Sequence, residues 1–166
     1  MKKTWFSAVL ICTLGLCLRL AFFVGPAQAG AGPFPGPRDK CPVCGMFIAK
    51  YPEWTASIQF GDGSHVFFDG VKDMLKFYLT PQKYGSRTDR SSMGTIRVKD
   101  YYSLEMIDGR NAYYVIGSDV LGPMGKELIP FARQTDAAEF LRDHRGRRIL
   151  RFNNLDNVIL QQLELH

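Results

Sequence analysis

The chain has 166 residues, 46% of them hydrophobic and 13% aromatic, enough for one domain or two very small ones and unlike a low-complexity or fibrous chain. Its formal net charge of +5 is 21 Lys and Arg less 16 Asp and Glu, but Lys2, Lys3 and Arg19 sit in an acid-free leader, so the remainder carries 18 less 16, or +2. That balance excludes a strongly basic nucleic-acid-binding domain, and no nucleic acid is expected as a partner.

In chain order, Lys2 and Lys3 form a basic start, Trp5 to Leu18 an apolar run, and Ala27-Gln28-Ala29 a small-x-small cleavage signal. Residues 1–29 therefore read as a cleaved signal peptide, and the mature protein as periplasmic. An uncleaved anchor is the rival reading, weakened by Arg19, which interrupts the apolar run. A lipoprotein is another: Leu14-Gly15-Leu16-Cys17 loosely resembles a lipidation site, but Leu16 is large for its position. Beyond the leader no apolar run is long enough to span a membrane, so the processed chain is not expected to be an integral membrane protein.

Residues 30–40 are rich in Gly and Pro and read as a flexible lead-in. Cys41-Pro-Val-Cys44-Gly-Met46 follows, and Pro52 marks a turn. Thr55 to Phe60 alternates as a strand, Gly61-Asp62-Gly63 makes a hairpin turn, and Ser64 to Phe68 returns. Asp69 is placed to cap a helix over Val71 to Tyr78, whose Val71, Met74, Leu75 and Tyr78 share one face. A polar loop from Thr80 to Gly94 precedes a strand over Thr95 to Lys99.

A second run repeats that order. Ala112 to Ile116 is a strand, Gly122-Pro-Met-Gly125 a turn, and Leu128 to Phe131 a short strand. Thr135 is placed to cap a helix over Asp136 to Asp143, stopped by His144 to Gly146. Arg148 to Phe152 returns as a strand, and Leu155 to Leu165 has apolar residues at helical spacing. The chain thus reads as α+β, two small similar ββαβ units over 41–102 and 103–166, the second followed by a C-terminal helix.

With Cys12 and Cys17 in the leader, only Cys41 and Cys44 remain, too few for a disulfide framework. A bridge between them would close a very small loop and stabilise little. Two thiolates and the Met46 thioether lie within six residues, and soft sulfur donors select copper(I). Gly45 allows a sharp turn that returns Met46 over the same centre. Three readings compete. Structural zinc normally takes four ligands, and His65, His144 and His166 are far apart. A thiol–disulfide oxidoreductase would use the same pair, though no strand precedes the motif. An inert disulfide suits an oxidising compartment.

Met124, on its Gly-bounded turn, is a second soft donor or a packed apolar residue. His65 suits copper but, as a lone histidine, is more often an ordinary surface or core residue. The candidate metal ligands are therefore Cys41, Cys44, Met46, Met124 and His65. Asp69 and Asp73 read as helix cap and solvated face rather than an acid–base pair. Arg147, Arg148 and Arg151 read as a solvated strand face, with an anionic partner as the alternative. No Ser/His/Asp or Cys/His constellation suggests an enzyme.

CPVCGM at Cys41 to Met46, HVFFDGVKDMLKFYL at His65 to Leu79, AYYVIGSDVLGPMG at Ala112 to Gly125 and GRRILRF at Gly146 to Phe152 together resemble the NosL family of nitrous oxide reductase accessory proteins. The resemblance implies two ββαβ units and an exported, non-enzymatic copper(I)-binding protein. It implies delivery of copper to ABC-type maturation machinery with an associated periplasmic protein, or to nitrous oxide reductase itself. A copper buffer or sensor without a client remains the alternative. Cys44-Gly45-Met46 and Met124 match the family motifs best. Many members begin with a lipidated cysteine, whereas this chain has Ala27-Gln28-Ala29. Some carry His-Asp-Met where this chain has Lys99-Asp100-Tyr101.

Overall fold

The computed structural model describes residues 33–87 and 89–164, so the leader and its cleavage signal lie outside the described residues. Alternation over Ala56–Phe60 (β1) sends Ala56, Ile58 and Phe60 into the core. His65–Phe68 (β2) returns antiparallel, with Ala56 opposite Phe68 and Gln59 opposite His65. The connecting turn is held by Asp62, whose carboxylate accepts the Ser64 N–H at 2.9 Å.

Helix α1, Val71–Leu79, carries the chain from β2 to Met93–Lys99 (β3), which pairs antiparallel with the free edge of β1. The polar loop between them contains short 3₁₀ turns at Pro81–Tyr84 and Arg90–Ser92. Met106–Asp108 (β4) adds a short edge strand to β3 that the sequence pattern does not announce. The sheet order is β2-β1-β3-β4.

The second half repeats the plan. Tyr113–Ile116 (β5) is the central strand. Leu121–Gly122 (β6) and Gly125–Lys126 (β7) form a small ribbon with Pro123 and Met124 at its tip. Ile129–Phe131 (β8), helix α2 at Gln134–Asp143 and Arg148–Arg151 (β9) complete a sheet of order β8-β5-β9. In both halves the first strand lies between the other two, so the architecture is α+β with two ββαβ units. Helix α3, Asn157–Glu164, follows the second.

Both halves contribute to one apolar cluster. Ile48, Phe68, Met74, Phe77 and Ile96 of the first pack with Tyr114, Ile116, Leu128 and Phe152 of the second. Val115, on the opposite face of β5, belongs instead to a smaller cluster with Ile129, Phe131, Ala137 and Phe140 of the second half. Alternation along β5 therefore divides its side chains between the shared core and the layer under α2. Helix α3 buries Ile159, Leu160 and Leu163 and packs on α1.

Neither expected side-chain cap forms. Gly70, in extended conformation, occupies the cap position of α1, and Asp69 lies one residue further out. The Lys72 N–H in the first turn instead donates to Glu127, 55 residues away, at 2.5 Å. In α2, Thr135 lies inside the helix and Arg133 holds the cap position, its guanidinium 2.8 Å from Asp136.

Candidate metal centre

The Cys41–Met46 segment is a tight knuckle rather than the start of a helix. Lys40 and Phe47 pair as an antiparallel bridge. Cys41 N–H donates to the Met46 carbonyl at 2.9 Å, and Gly45 N–H to the Cys41 carbonyl at 2.8 Å. Gly45 sits at φ 79°, a left-handed conformation that glycine adopts without a Cβ penalty. Ile48, fully buried, anchors the returning arm in the core.

The knuckle faces the start of α1. Cys41 is 1% exposed and its Sγ lies 3.6 Å from Asp73 Oδ2. Cys44 is half-buried, with Sγ 3.3 Å from both carboxylate oxygens of Asp69. One ligand atom from each of Cys41, Cys44, Asp69 and Asp73 lies within 4.8 Å of the others. Asp69 and Asp73 are 1% and 2% exposed, so the solvated face expected of them is in fact the wall of this site. Burying a carboxylate is costly without a partner, and here the thiols donate to both.

Both cysteines are free thiols. Burial pushes the Cys41 thiol far above its ordinary range, and the neighbouring Asp69 carboxylate pushes the same way. Burial likewise lifts Cys44, to about 11, with Asp69 and Asp73 adding to the shift and the Met46 backbone opposing it. Redox-active Cys-x-x-Cys pairs have the reverse bias, a depressed thiol pKa. If a cation replaced the two thiol protons, two thiolates and two carboxylates would share it. The donor set therefore fits a metal ion.

The other sequence candidates are placed differently. Met46 is half-buried and its carbonyl closes the knuckle. Met124 is 45% exposed at the tip of the β6–β7 ribbon. Its carbonyl accepts from Lys72 Nζ at 2.6 Å, which seats the ribbon on the first turn of α1, beside Asp73. His65 is not one of the four clustered residues. It stacks on Phe67 with ring centroids 6.1 Å apart, on the face of β2 opposite the buried Phe68, and borders a small cavity with Phe34 and Arg97.

The residues that sequence reasoning missed are Asp69 and Asp73. A signal was present: Asp69, Asp73 and Phe77 recur every four residues, which aligns the carboxylates with a core aromatic.

The NosL family model matches residues 35–160. The chain belongs to the NosL family. A curated NosL relative, the copper-binding lipoprotein NosL of Stutzerimonas stutzeri, is 33% identical over 132 residues and covers 75% of this chain. The chain spans 65% of that relative's length. The copper chaperone NosL of Shewanella denitrificans has a crystal structure similar to this one, with a TM-score of 0.65 and 23% identity over 81% of this chain and 99% of that one. That similarity is one of fold. The solution structure of apo-NosL from Achromobacter cycloclastes gives a TM-score of 0.48 at 23% identity, over 63% of this chain and 87% of that one. The Stutzerimonas and Shewanella proteins are named for binding or carrying copper, not for catalysis. Among the described residues no helix is long and apolar enough to cross a membrane.

Proposed function

We propose that this protein is an exported copper(I) chaperone that binds its cargo through Cys41 and Cys44 and passes it to a partner in the periplasm. The observation that carries the reading is the facing of the two thiols with one buried and one half-buried, on a surface knuckle. The inner thiolate retains the ion while the outer one is open to exchange. Soft thiolates favour copper(I), and Met46 and Met124 supply thioether donors from the knuckle and from the ribbon seated on α1. His65, on the outer face of β2, has no role in this reading. By analogy with the family, the recipient is the maturation machinery of nitrous oxide reductase.

A second reading has its own support. Cys41, Cys44, Asp69 and Asp73 make up the four-donor count that zinc takes in tetrahedral sites. Anaerobic titration of the reduced protein against a chromogenic copper(I) chelator, with zinc in parallel, separates the two. The expected result is tight one-to-one copper(I) binding that disappears in the Cys41→Ser, Cys44→Ser double variant. Zinc binding without competitive copper(I) binding would overturn the chaperone reading. Thiol–disulfide exchange is opposed by the upward direction of both thiol pKa values. Turnover on a disulfide substrate would reinstate it.

A further inference from the structure

A basic groove runs along the second half, beside the ribbon that bears Met124. One cavity, about 460 Å³ and open to solvent, is bordered by Lys126, Arg147, Arg148 and Gln162, with no acid among the described residues of its lining. A neighbouring cavity of about 360 Å³ shares Lys126 and Leu163 with it and extends to Lys72 and Met124. The one acid there, Glu164, is already paired with Lys76 at 2.9 Å.

Lys76 of the second cavity is paired with Asp73 and Glu164, whereas Lys126, Arg147 and Arg148 are held in place without an ion-pair partner among the described residues. The Arg147 N–H donates to the Ile116 carbonyl at 2.8 Å. Its aliphatic stem lies against Gly117, where a Cβ would come within 2.7 Å of it. Among the described residues, Arg147 has no acidic partner. Among the described residues, Arg148 reaches the neutral Gln162 at 2.9 Å and Lys126 the Ser118 carbonyl at 3.0 Å, with no acid on either. Arg151 is separate, stacked over Tyr113 at 4.1 Å on the other side of β9. The arginine run therefore does not form one solvated face, because Arg147 and Arg148 are drawn into a groove and Arg151 is not.

We propose that this groove docks an acidic segment of the protein that receives the copper. The inference rests on the chaperone reading and names the chemistry of its partner. The cations are spread along two adjoining open cavities rather than converging on one buried point. That arrangement fits an extended chain of carboxylates better than a single small anion. An acidic segment lying in it would run past Met124 toward the first turn of α1.

The test uses a fluorescein-labelled peptide of alternating Asp and Gly, followed by anisotropy against the purified exported protein. The expected result is binding that weakens steeply with salt and falls at least tenfold in R147E/R148E. Copper(I) titration of that variant should match the parent. Arg147→Gln, a single neutral change at an exposed side chain, should weaken the peptide several-fold without risk to folding. Equal peptide affinity in parent and variants would overturn the docking site alone. So would full displacement by inorganic phosphate at the peptide's own concentration, which would mark a free-anion site. Failure of the parent to hold copper(I) would overturn the chaperone reading and, with it, this role for the groove.

Discussion

The Cys44 thiol lies 3.3 Å from both carboxylate oxygens of Asp69. The contact explains why Asp69 can be 1% exposed, and it adds to burial in keeping Cys44 protonated. Asp69→Asn should lower the thiol pKa of Cys44 while leaving it above the ordinary value, because burial is the larger cause. Thiolate ultraviolet absorbance across a pH series, in a Cys41→Ser background, reads this directly. Combined with Asp73→Asn, the change should weaken zinc binding more than copper(I) binding, since carboxylate oxygen is a poor ligand for a soft ion.

Metal affinity should rise with pH. Burial pushes Cys44 up to about 11 and Cys41 further, which keeps both thiols protonated at neutral pH, so they must release protons to bind an ion. The logarithm of the copper(I) association constant should therefore increase by about two per pH unit well below those values, if both thiolates ligate. A slope near one would show that a single cysteine carries the ion. Chelator competition at several pH values, corrected for the chelator's own protonation, distinguishes them.

Glu127 ties the two halves together at the first turn of α1. Burial raises its pKa to about 8, with Asp73 adding to the rise, and the Lys72 and Leu128 N–H groups and the Lys72 ammonium opposing it. The folded state therefore holds a proton that the unfolded chain releases near its ordinary value of 4.5. This group's contribution to stability should accordingly fall as pH rises between those two values. In Glu127→Gln that part of the decline should vanish, as denaturant unfolding at pH 5 and pH 8 would reveal.

Gly70 and Glu127 should behave as a coupled pair. A Cβ on Gly70 would sit 2.3 Å from Glu127 Oε2, so Gly70→Ala must shift the buried carboxyl group away from the N–H groups it accepts from. Gly70→Ala and Glu127→Ala should each destabilise by about 1–3 kcal/mol through those lost hydrogen bonds. The double variant should cost much less than the sum, which a double-mutant cycle measures.

Gly45→Ala should have a purely conformational effect. Its φ is 79° and nothing lies within 4 Å of an added Cβ. The expected cost is about 1–2 kcal/mol from the left-handed backbone alone. Thermal unfolding should reveal that cost, with copper(I) stoichiometry unchanged.

What was legible in the sequence was local. Alternation over Thr55 to Phe60, the Tyr-, Val- and Ile-rich run from Ala112 to Ile116, the helical spacing of Val71 to Tyr78 and the glycine turns together led to the two ββαβ units. The Cys41–Met46 knuckle was legible for the same reason, because its donors and its glycine are neighbours in the chain. Edge strand β4 was not, because three residues become a strand only by pairing with β3. Periodicity tells which side of an element is apolar but not whose polar groups meet it. Asp69 reads as a cap because a carboxylate at a helix start is ordinarily exposed. Only the tertiary structure brings it to Cys44, 25 residues away, and Asp73 to Cys41, 32 residues away. The same holds for Glu127, whose partner N–H is 55 residues distant. The sequence by itself determined the two repeated runs of strand and helix and the position of the Cys41–Met46 motif. The carboxylate wall of the site was decided by packing within the first half, and the seat of the Met124 ribbon by the packing of one half on the other, because a buried polar group is tolerated only where distant segments supply its hydrogen bonds.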